Sequence, residues 1–217
     1  CYRYYQCIRQ FECIMSQLNV DTIGGQTGTT ISIASGHTLD GVAGLKKVGT
    51  VTASDSATVS IDNFVDTSKY SLYKIVAHNL LPSVNDREAR VKFRTGGASG
   101  SDITGTYYRA GYYAYASTSG TGSSSNTSYT DYGTFTGAIG NVAGEGISFT
   151  GIISAATGSA GTNWIEMNWV YKNDNEHMVK DNQTISIKET TAMTGIKFYF
   201  NTGNVASGTI DIYGFAK

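Results

Sequence analysis

Between Tyr107 and Tyr115 the chain reads YYRAGYYAY, five tyrosines and one arginine in nine residues. Aromatic rings stack on the apolar faces of sugars, while phenol and guanidinium groups hydrogen-bond to hydroxyls. The same residue types are enriched where protein subunits meet. On a β-strand alternate side chains share a face. Tyr108, Ala110, Tyr112 and Ala114 therefore fall together and read as the core side, with Tyr107, Arg109, Tyr113 and Tyr115 displayed. Subunit packing, plain sheet packing and glycan contact are the three uses this pattern allows. Trp164, on the polar side of its own run, is a further candidate for an interface or glycan contact.

Other chemistries lack their residues. His37, His78 and His177 lie far apart and form no H-x-H or H-E-x-x-H pair, so no metal site is expected. The run Asn173 to Glu176 offers oxygens but not the spaced acidic order of a calcium loop, and reads as a solvated turn. No G-x-S-x-G elbow is present. Gly137 to Gly146 lacks the Lys-Ser/Thr ending of a phosphate loop and reads as a turn or bulge region. Neither a catalytic residue nor a cofactor is expected, and the chain does not read as an enzyme.

The elements that must carry the tyrosines follow from composition. Ile and Val far outnumber the six leucines, and about a third of the 217 residues are Gly, Ser or Thr. Residues branched at Cβ lose rotamer freedom in helices and pack well on pleated strands. Only 15% of residues are charged while 40% are hydrophobic, too apolar for a disordered chain. A net charge of −1 leaves no basic surplus for nucleic acid. No apolar run reaches the length of a membrane span, so membrane insertion is not expected.

Period-two alternation is clearest at Ala89, Val91 and Phe93, interleaved with Glu88, Arg90, Lys92 and Arg94. It recurs at Val59 and Ile61, at Ile165 to Tyr171, at Ile185 and Ile187, at Ile196 to Phe200, and at Ile210 and Ile212. Tyr70 to His78 is apolar on both faces and reads as a central strand. Ser117 to Ser128 is low in complexity and reads as a mobile loop. The expected fold is all-β, a jelly-roll-like two-sheet antiparallel sandwich with an extended N-terminal arm. Residues 47–217 form the sandwich and 15–46 the arm. Residues 1–14 hold Cys1, Cys7 and Cys13 and differ sharply in composition from the rest of the chain. They read as an upstream extension ahead of a natural start at Met15, or as an anchoring segment.

Three stretches carry a resemblance when taken in order. They are Tyr73-Lys-Ile-Val76 with Pro82 and Val91-Lys-Phe-Arg-Thr-Gly-Gly97; Gly140-Asn-Val-Ala-Gly-Glu-Gly146; and Ile196 to Asn204 followed by Gly208-Thr-Ile-Asp-Ile-Tyr-Gly214. Together with the start at Met15 this order resembles small structural, tail-fibre-like proteins of marine tailed bacteriophages. The resemblance implies a non-enzymatic component on the outer surface of the phage particle, partnered by other virion proteins and assembled as a homotrimer. Its expected task is attachment to the host surface, with a host glycan as a possible ligand. Capsid decoration, stabilising the phage head, and a free carbohydrate-binding module are the alternatives.

Overall fold

A computed structural model of the chain describes residues 44–115, 122–155, 162–173 and 175–217. The extension 1–14 with its cysteines, the arm up to residue 43 including His37, and residues 117–121 of the expected loop lie outside the described residues. The strands are β1 (Leu45–Ser56), β2 (Val59–Ile61), β3 (Tyr70–Pro82), β4 (Arg87–Thr95), β5 (Ser101–Asp102), β6 (Thr106–Tyr115) and β7 (Gly122–Thr130). They continue with β8 (Gly133–Ile139), β9 (Ile147–Ser154), β10 (Trp164–Lys172), β11 (Met178–Ile187), β12 (Gly195–Phe200) and β13 (Val205–Ala216). Among the described residues the only helical element is a 3-10 turn, Gly97–Ser99. None of them forms a helix long and apolar enough to cross a membrane.

Two antiparallel sheets pack face to face, as the composition led us to expect. One has eight strands in the order β1-β13-β3-β9-β10-β11-β6-β7. The other has the order β2-β12-β4-β5, with β8 also paired to β4. Number β1, β2, β3, β4, β8, β9, β12 and β13 as first to eighth. The sheets then run first-eighth-third-sixth and second-seventh-fourth-fifth, the connectivity of a jelly roll. The hairpins β6-β7 and β10-β11 are additions that lengthen the first sheet. β3 lies between β13 and β9, the central place its two apolar faces require.

The core follows from alternation. On β4, Ala89, Val91 and Phe93 are buried. They share one buried core with an aromatic cluster in which Phe135, Phe149, Trp169 and Phe198 meet with ring centroids 5.3 to 5.8 Å apart. Phe135 and Phe198 belong to the smaller sheet and Phe149 and Trp169 to the larger, so these rings join the two layers. The polar residues of β4 point outward into an ion-pair cluster. Arg94 holds Asp62 through two nitrogens, at 2.7 and 3.2 Å, and Asp102 at 2.7 Å. The other Asp102 oxygen lies 2.5 Å from Lys197 and 3.4 Å from Lys92.

Three readings are corrected. Gly122–Thr130, expected within or beside a mobile loop, is strand β7 and pairs with β6 from Thr106↔Thr130 to Ala114↔Gly122. Its serines carry little β-propensity, but the ladder with β6 supplies the backbone bonds, and a polar edge strand resists unwanted pairing. The domain begins slightly earlier than expected, since Leu45 already pairs with Phe215.

The faces of β6 are also the reverse of the expectation. Tyr107 is fully buried, whereas Tyr108 and Tyr112 are 43% and 72% exposed. The register decides this, because Tyr107 and Arg109 stand opposite the inward Ile187 and Ile185 of β11. The Tyr107 ring stacks on Phe93 at 5.7 Å. Its hydroxyl accepts from the Phe93 N–H and donates to the Ile103 carbonyl, both at 3.0 Å, so burial leaves no phenol unsatisfied. Tyr107 is therefore a core residue and not a surface contact.

Candidate functional site

β8 of the smaller sheet packs over β11 of the larger, where Gly133 meets Ile185. Along β11 and the neighbouring β6 the inward residues then change from apolar to polar. Along β11 the inward positions are Val179, Asp181, Gln183, Ile185 and Ile187. On β6 the matching positions are Tyr107, Arg109, Gly111 and Tyr113, held by the pairs Ile185↔Arg109, Gln183↔Gly111 and Asp181↔Tyr113. Gly111 is what the ladder needs opposite Gln183: a Cβ there would lie 2.3 Å from Gln183 Cγ and 2.1 Å from the Asn182 carbonyl oxygen.

These side chains line a cavity of about 240 Å³, partly open to solvent. Arg109 and Tyr113 come from β6, Asp181 and Gln183 from β11. Phe135 and Gly137 of β8 and Tyr171 of β10 close it toward the core, where the Tyr171 hydroxyl donates to the Gly137 carbonyl at 2.9 Å. Asp181 and Gln183 are 4% and 2% exposed, and the Gln183 amide donates to Asp181 Oδ2 at 2.8 Å. Arg109 Nε, Asp181 Oδ1 and Gln183 Oε1 are buried and have no hydrogen-bond partner among the described residues. Buried polar atoms in native proteins are nearly always paired, so three around one cavity mark a place built for a polar guest or ordered water. Burial pushes the Asp181 carboxyl up to about 7, against the opposing pull of Gln183, the Asn182 amide and Arg109.

The sequence-based candidates divide accordingly. Arg109 and Tyr113 line the cavity, with the Arg109 guanidinium carbon also 5.7 Å from the Tyr129 ring centroid. Tyr115 ends the same strand opposite Val179. Tyr107 belongs to the core. Trp164 is half-buried on the outer face of β10, away from the cavity and two strands from Tyr108, with Ser186 between them in the ladder. Asp181 and Gln183 were missed. The signal was available: counting back by twos from Ile187 and Ile185 reaches Gln183 and Asp181, polar residues in apolar register. His78 is exposed, and the Asn173 side-chain oxygen accepts from the backbone amides of Asn175 and His177 at 3.1 and 2.8 Å. No group of three His, Cys, Asp or Glu gathers among the described residues.

Fold and site together define a jelly-roll β-sandwich with a polar cavity lined by β6, β8, β10 and β11. Comparison with protein-family models, curated proteins and solved structures finds no match to the chain.

Proposed function

We propose that this chain is a non-enzymatic structural protein of a bacteriophage particle, tail-fibre-like, whose β-sandwich is displayed on the outer surface and attaches to the host surface through a glycan. One observation carries the attachment reading: Arg109, Asp181 and Gln183, each with a buried polar atom that has no hydrogen-bond partner among the described residues, line one open cavity together with Phe135, Tyr113 and Tyr171. Placement in a phage particle is supported by the ordered motifs from Tyr73 to Gly214. Against hydrolysis stands the lining itself, where Asp181 supplies a single carboxyl and glycoside cleavage ordinarily uses two. The residues ahead of β1 would tether the sandwich to other virion proteins. A homotrimer would convert several weak sites into avid attachment.

Capsid decoration is the second reading, and it draws on the opposite face of the same strand. Tyr108 and Tyr112 stand exposed there, as residues buried against a shell neighbour would in the free chain. Immunogold electron microscopy of intact virions, with antibody against the full chain, separates the two. Label on the tail or its fibres, together with competition for host adsorption by the free chain, is the expected result. Label over the head favours decoration, and no label on any particle overturns the virion reading.

A further inference from the structure

The unpaired atoms around the cavity specify more than polarity. Gln183 has its amide orientation set by donation to Asp181 Oδ2, which leaves Oε1 facing away as a pure acceptor. Arg109 Nε can only donate, and Asp181 Oδ1 accepts once the carboxyl is ionised, above about pH 7. A guest must therefore accept from Arg109 and donate to Asp181 and Gln183 within one small space. A carboxylate or sulfate only accepts, and would set its charge against two acceptor oxygens. An ammonium group only donates, and would leave Arg109 unpaired while standing beside its charge. A hydroxyl does both. Above about pH 7, where Asp181 is ionised, it offsets Arg109 and the cavity holds no surplus charge to attract an ion, so the titrations below are made at pH 8.

Size narrows the choice further. Sites for drug-sized ligands begin at about 300 Å³, so a cavity of about 240 Å³ suits one ring rather than a chain of them. Its aromatic wall, from Phe135, Tyr113 and Tyr171, suits the C–H face of such a ring. We propose that this cavity takes a single uncharged sugar residue through two adjacent hydroxyls, which donate to Asp181 and Gln183 and accept from Arg109. This inference rests on the host-attachment reading and names the class of sugar it uses.

The test uses the full 217-residue chain, titrated with methyl glycosides of mannose, galactose and glucose, and with methyl glucuronide and N-acetylneuraminic acid. Calorimetry and saturation-transfer NMR give the readout. At least one neutral glycoside is expected to bind saturably and at least tenfold more tightly than either acidic sugar. Gln183→Leu and Arg109→Lys, each checked for a cooperative thermal transition, should weaken it at least tenfold, while Trp164→Ala on the outer face should not. Equal or tighter binding of an acidic sugar overturns the uncharged class and leaves the glycan reading standing. Neutral-sugar binding that survives in a folded Gln183→Leu or Arg109→Lys chain overturns the cavity as its site. Binding of no sugar at all overturns this inference and the glycan reading together.

Discussion

Gln183 donates its side-chain amide to Asp181 across 2.8 Å from two positions further along β11, on the same inward face. Each is almost fully buried, in register with Ile185 and Ile187. The pair places a hydrogen-bonded carboxyl where the strand pattern calls for two apolar side chains, and its consequences can be measured.

Asp181 holds its proton up to about pH 7 in the folded chain because burial disfavours the carboxylate. Once unfolded it ionises near the ordinary value of 3.8. Between those values the folded state binds more protons, so this contribution to stability falls as pH rises from about 4 to about 7 and then levels off. Urea unfolding of Asp181→Asn should show a flatter pH dependence, with a gain on the order of 2 kcal/mol over the parent at pH 8.

Asp102 works in the opposite sense. Burial alone would raise its carboxyl, but Lys197 and Lys92 outweigh that and hold it below the usual value. Its stabilising contribution is present above about pH 4 and is lost as pH falls through the depressed folded value. Asp102→Asn leaves Arg94, Lys92 and Lys197 facing one another without their shared anion. The expected loss is roughly 2 kcal/mol at neutral pH, read from denaturant midpoints.

Tyr107→Phe isolates the hydroxyl of the buried tyrosine. It leaves the Phe93 N–H and the Ile103 carbonyl without their bond to the phenol while preserving the ring stack. A loss of about 1–3 kcal/mol is expected. The measured unfolding free energy should fall while binding at the cavity is unchanged, because Tyr107 does not line it.

Gly111→Ala inserts a methyl group where the Asn182 carbonyl oxygen and the Gln183 side chain already lie. β6 and β11 must then shift apart next to Gln183, which lines the cavity. Overpacking of this kind costs about 1–3 kcal/mol, and host-cell adsorption by the purified chain should fall in parallel with stability.

Tyr113→Ala and Trp164→Ala separate the two faces of the larger sheet. Only Tyr113 lines the cavity. Adsorption to host cells is expected to drop severalfold in Tyr113→Ala and to stay at the parent level in Trp164→Ala. The reverse order would move the binding surface to the outer face.

The fold was legible because β-strand physics is local. Val91 and Phe93 between Arg90, Lys92 and Arg94, or Ile165 to Tyr171 against Glu166 and Asn168, state which side is buried without reference to anything distant. The site was half legible. Arg109 and Tyr113 stand out by residue type, but the face they occupy is set by pairing with β11, a contact made across 76 residues of chain for Arg109 and 68 for Tyr113. Two alanines at 110 and 114 made the exposed side of β6 look like core. Asp181 and Gln183 broke a period that could be followed only from Ile185 and Ile187 backward. The serines of β7 belong to a strand because β6 lies beside them, which no property of the serines reports.

The cavity is assembled largely from two separate insertions in the jelly roll: β5 to β7, between its fourth and fifth strands, and β10-β11, between its sixth and seventh. Much of the cavity's lining thus lies outside the eight jelly-roll strands. Selection can rewrite β6 and β11 residue by residue, or exchange whole hairpins, without repacking Phe93, Phe149 or Phe198. If the cavity is the attachment site proposed above, new specificities can arise there while the framework stays intact.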